Sequence, residues 1–123
     1  MPERLAFPLT LLYKQEGDLW AALACEVDVA SCGDTLDEAR AMLREAVELY
    51  LTEMVASGRR ADIERPVPPE ELAEFIGEDR ENARIERVTA ILWRESGERG
   101  YCAEFVPSLT TPVDYCVQVL AAG

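Results

Sequence analysis

The sequence predicts an α+β domain: an antiparallel sheet backed by one long amphipathic helix, with an additional β-hairpin toward the C-terminus. Three observations carry this. Leu5, Phe7, Leu9, Leu11 and Tyr13 alternate at period two, residues 36–55 repeat apolar side chains every three or four positions, and strand-like patterning returns after Arg87. A chain of 123 residues suits one domain and can bury roughly two-thirds of its unfolded surface. Hydrophobic residues at 49% and charged residues at 29% predict a packed core rather than a disordered chain.

The first strand runs from Leu5 to Tyr13. Pro8 cannot donate to a ladder, which places the strand at a sheet edge or starts it after Pro8. Lys14 to Asp18 carries a turn signal around Gly17, and Leu19 to Glu26 returns antiparallel, with Val27 to Ser31 extending the sheet as a third strand. The helix then spans about 35–57. Thr35-Leu-Asp-Glu38 fits a capping box, in which the Glu reaches back to the cap residue's own N–H. Leu36, Ala39, Leu43, Ala46, Val47, Tyr50, Met54 and Val55 form its apolar stripe, and Gly58 followed by Arg59 and Arg60 stops it.

Pro66 to Glu70 is too stiff for sheet, and Pro69 opens a short helix carrying Leu72, Phe75 and Ile76 that Gly77 ends. Glu78 to Glu86 reads as a polar connector. Strands follow at Arg87–Arg94, Tyr101–Val106 and Asp114–Leu120. Residues 1–65 thus read as a β-β-β-α unit, and 66–123 as connector, short helix and strands of the same domain. Leu11 to Asp18 with Trp20-Ala-Ala22 also resembles Ile91 to Glu98 with Tyr101-Cys-Ala103, a candidate repeat of one hairpin.

Twenty-four acids against twelve bases leave a formal charge of −12, shared evenly between residues 1–62 and 63–123. Acidity is therefore spread over the fold, which disfavours direct nucleic-acid binding and favours a basic protein partner. Histidine is absent, so serine-histidine, cysteine-histidine and histidine-metal chemistry are excluded within the chain. Cys25, Cys32, Cys102 and Cys116 form no Cys-x-x-Cys pair and read as buried free thiols, not as a metal site or disulfide framework. No metal or cofactor is expected. No apolar run is long enough to span a bilayer and the N-terminus has no signal-peptide pattern, so the expected location is cytoplasmic, away from membranes.

Residues Glu16-Gly-Asp-Leu-Trp20, followed by Gly33-Asp-Thr-Leu-Asp-Glu-Ala39 and the helix ending Leu43-Arg-Glu-Ala-Val-Glu-Leu-Tyr50, resemble the HicB-like antitoxin family. The Pro-rich exit at Pro66–Pro69 is similar too, and the likeness covers about half the chain. The resemblance implies a partial RNase H-like fold of β-β-β-α-β type that forms homo-oligomers, dimers above all. It also implies a role in a type II toxin-antitoxin system, covering the active surface of a small basic RNA-cleaving toxin of the HicA type. Many such proteins end in an operator-binding helical motif. Here a strand-rich tail stands in that place, so direct DNA binding is not implied.

The expected activity is non-enzymatic binding of a basic protein. Glu16, Asp18 and Trp20 of the first hairpin, with Glu26 and Asp28 beyond it, are the expected contact residues, since interface energy concentrates in a few desolvated anchors. The alternative is a stand-alone oligomerising or structural domain of the same fold. A metal-dependent nuclease using strand-borne Glu26, Asp28 and Glu104 ranks below both, because these acids form no recognisable ligand set.

Overall fold

A computed structural model describes residues 3–78, 80–97 and 100–107. Its elements are β1 (Glu3–Glu16), β2 (Leu19–Ala24), β3 (Val29–Gly33), α1 (Leu36–Ala56), α2 (Pro69–Ile76), β4 (Ala83–Arg94) and β5 (Cys102–Pro107), with 3-10 turns at Arg60–Asp62 and Arg80–Asn82. The strands form one antiparallel sheet in the order β3-β2-β1-β4-β5. The chain is thus α+β, a five-stranded antiparallel sheet with one long helix. The expected strand at Asp114–Leu120, and Cys116 within it, lie outside the described residues.

Helix α1 lies across one sheet face. Alternation sends Leu9, Leu11 and Tyr13 of β1 and Val88, Ala90 and Leu92 of β4 to that face, where they meet Leu43, Val47 and Leu51. The second face is smaller and is covered at one end by α2, whose Leu72 and Ile76 pack on Leu12, Leu23 and Cys25. Strands from both parts of the chain share the sheet, with β1 at its centre.

Both ends of α1 follow from local chemistry. The Thr35 hydroxyl accepts from the Glu38 amide at 3.0 Å, while the Glu38 carboxylate accepts from the Asp34 amide at 3.3 Å, one residue before the expected partner. At the other end, Gly58 takes φ +75°, the Arg59 amide donates to Met54 and the Gly58 amide to Val55, a Schellman closure. Gly33 serves a close approach: a Cβ added there would lie 2.5 Å from the Ala39 nitrogen. The end of β3 therefore passes directly beneath the first turn of α1.

Several boundaries differ from the sequence reading. Strand β1 begins at Glu3, so Pro8 does not delay the start; the strand is central in the sheet, yet at Pro8 only β4 pairs with it, which leaves the proline on a locally open edge. The β2 ladder reaches only Leu11, and the Thr10 amide points to the β2 side. By period two the Pro8 nitrogen points the same way, beyond the end of that ladder, and costs no hydrogen bond. Strand β3 starts at Val29 because residues 25–28 turn, with Asp28 at φ +53°. Strand β4 starts at Ala83, not Arg87: Ala83 and Ile85 pack against the α2-side core, and Arg84 between them only alternates to the other face.

Leu11 and Ile91, aligned in the hairpin likeness, face opposite sides. Leu11 is wholly buried under α1, whereas α1 meets the even-numbered residues of β4 and leaves Ile91 half-buried on the second face.

Candidate functional site

The expected contact residues do not form one patch. Glu16 and Asp18 are exposed at the β1–β2 turn, whose loop is Gly17-Asp18. Glu26 and Asp28 occupy the turn at the other end of β2, roughly 17 Å away along six residues of strand. Trp20 is half-buried and packs against the α1-side core, paired across the strands with Gly33.

Glu26 has a structural task. Its carboxylate accepts from the Thr10 amide at 2.7 Å and the Thr10 hydroxyl at 2.9 Å, where β2 turns away from β1. Thr10 is fully buried, so this carboxylate satisfies a backbone N–H that would otherwise lose its partner. The connector to α2 reinforces the corner, with the Arg65 amide donating to Glu26 and the Val67 amide to Cys25. Glu104 sits on β5, across the sheet from Glu26 and Asp28. Among the described residues no group of three or more Cys, Asp or Glu is placed to hold a metal ion.

Glu86 and Glu3 each gather partly exposed arginines. Glu86 on β4 accepts from the Tyr13 hydroxyl at 3.0 Å and lies 3.4 Å from both Arg40 and Arg44, the two bases of α1. Arg40 also stacks over Tyr13 and Arg44 over Phe105. Burial, with the Glu86 charge beside it, holds the Tyr13 phenol protonated far above its ordinary range. A second knot closes β1, β4 and β5: Glu3 accepts from Tyr101 at 3.0 Å and Arg94 at 3.1 Å, and the Tyr101 hydroxyl more than Arg94 holds the Glu3 carboxyl below its usual range. Lys14 is buried, with Nζ donating to the Ile76 carbonyl at 2.6 Å. Glu86 and Glu3 thus engage three guanidiniums, Arg40 also meets Asp37 at 3.0 Å, and Lys14 adds a fourth cation.

The cysteines separate by site. Cys25 is buried and free, and burial pushes its thiol up to about 12. Cys32 and Cys102 are free but exposed, which corrects the expectation that they are buried. Both occupy outer strands, where the side chain facing away from α1 has little above it.

Sequence patterning passed over Met42 and Leu49. They are 44% and 64% exposed on the outer side of α1, whereas the buried stripe runs through Ala39, Leu43, Val47, Leu51 and Met54. A helical wheel centred on Leu43 and Val47 places both outside that stripe, which is the signal that finds them. No helix among the described residues is long and apolar enough to cross a membrane. Comparison with family models, curated proteins and solved structures finds no match to this chain.

Proposed function

We propose that this chain is a non-catalytic binding module that neutralises a basic protein by covering its cationic surface, as the HicB-like antitoxins it resembles do to toxins of the HicA type. The observation that carries the reading is the distribution of charge. The chain has a formal charge of −12, and the fold ties Arg40, Arg44 and Arg94 to Asp37, Glu86 and Glu3 while Lys14 is buried against the Ile76 carbonyl. Most of the acids are exposed, so the surface is strongly acidic. Such a surface steers cationic partners and competes with RNA for the same basic groove. The module works as a homo-oligomer in the cytoplasm, with no cofactor and no bond made or broken.

The test is co-expression with a small basic RNA-cleaving protein of the HicA type. The reading expects growth to be restored and the two proteins to co-elute at low ionic strength, with weaker association at high salt. Absence of a complex at low salt would overturn it, as would metal-dependent RNA cleavage by the pure chain that is lost when Glu26 or Glu104 becomes Ala.

A further inference from the structure

We infer that the outer face of α1 is the docking surface, and that its occupant is a basic amphipathic helix on the partner protein. This rests on the proposed function and names the surface that performs it. Met42 and Leu49 lie seven residues apart, so two helical turns bring them onto one line, with half-buried Ala46 between them and exposed Ala56 one further interval along. Leu49, at 64% exposure, is the most exposed large apolar side chain of the described residues. It stands in the middle of the helix, where a purely solvated face would carry a polar residue.

Charge selects the occupant. Glu38, Glu45 and Glu53 flank this line and are exposed, while both bases of the helix lie on another flank against Glu86. The last turn itself carries no basic residue, Arg59 beyond it donates to the Ser57 hydroxyl, and Glu53 stands exposed near that end. A cleft of about 260 Å³ opens there between Thr52, Glu53, Ala56, Gly100 and Tyr101. It adjoins the apolar line and offers the Glu53 carboxylate to a long basic side chain, beside a Tyr101 ring that Arg94 covers at 4.7 Å. A second copy of this chain is a poor occupant, because two such helices would set Glu against Glu along the seam. A helix with apolar residues at heptad spacing and Lys or Arg beside them meets both the apolar line and the acids.

The probe is a synthetic amphipathic helix of the length of α1, with leucines at heptad spacing and flanking lysines. A glutamate-flanked version and a scrambled version serve as controls. Binding is followed by fluorescence anisotropy and mapped by amide shifts of the intact labelled protein. Met42→Ser with Leu49→Ser, and Glu45→Lys with Glu53→Lys, alter exposed side chains only, and circular dichroism checks that each variant is folded. Each pair is expected to weaken the lysine peptide about tenfold or more, with shifts centred on residues 42–56, while Glu16→Lys with Asp18→Lys has little effect. If the hairpin pair abolishes binding and the α1 pairs do not, the surface is wrong while the acidic module survives. No binding of the lysine peptide at low salt overturns both. Equal binding of the glutamate or scrambled peptide overturns the choice of occupant, as does self-association that Leu49→Ser removes.

Discussion

The two hairpins share a sequence pattern and differ in how they use it. In β1–β2 a two-residue loop, Gly17-Asp18, joins strands paired from Glu16 and Leu19, and β3 and α1 follow. In β4–β5 the last pair is Trp93 and Cys102, and a longer connection is clasped by Glu3, Arg94 and Tyr101. The odd residues of β1 face α1, whereas the even residues of β4 do. Alternation states that a strand has a buried side. The pairing register states which side it is, and a shift of one residue reverses the answer.

The sharpest test compares glycines. Gly33→Ala would force a Cβ to within 2.5 Å of the α1 backbone, whereas a Cβ on Gly100 meets nothing within 4 Å. Gly33→Ala is expected to cost about 4 kcal/mol or to prevent folding, and Gly100→Ala to change stability by less than about 0.5 kcal/mol, as urea titrations will show. Equal losses would mean that β3 does not pass beneath the helix.

A smaller effect tests the facing itself. Leu11→Ala removes a fully buried side chain under α1 and is expected to cost about 3 kcal/mol. Ile91→Ala, at the aligned position, is expected to cost only about 1 kcal/mol because Ile91 is half-buried on the other face. Matching losses would restore the repeat as a structural equivalence.

The smallest effect concerns the thiols. With Cys116 replaced by Ser, Cys32 and Cys102 should both react with a thiol reagent in the native protein and Cys25 only on unfolding. The folded state keeps the Cys25 proton until about 12, while the unfolded chain releases it near the thiol's ordinary 9.0. The native state therefore binds more protons in that window, and its stability falls as pH rises from 9.0 toward about 12. Urea midpoints against pH should show a shallower decline in Cys25→Ala; an identical decline would place the thiol in water.

Elements with strong local signals were legible: α1 with Thr35 and Gly58 at its ends, α2 between Pro69 and Gly77, and the turn at Gly17. Caps, prolines and periodicity act over a few residues, so their consequences lie near them in the chain. The start of β4 was not legible, because Ala83 to Glu86 looks like a connector until α2 is found over Ala83 and Ile85. The site was less legible than the fold. Glu26 is an acid in a strand-rich stretch until the Thr10 amide is seen facing it, a contact across sixteen positions.

Composition and periodicity were enough to establish an acidic, histidine-free α+β chain with one dominant helix, since each depends on residue identity and short-range spacing alone. The pairing of β1 with β4, the pairing of Arg40, Arg44 and Arg94 with Glu86 and Glu3, and the exposure of Met42 and Leu49 arose only when distant segments met. Which face of a strand or helix is covered depends on what arrives to cover it, and no single segment of the chain carries that information.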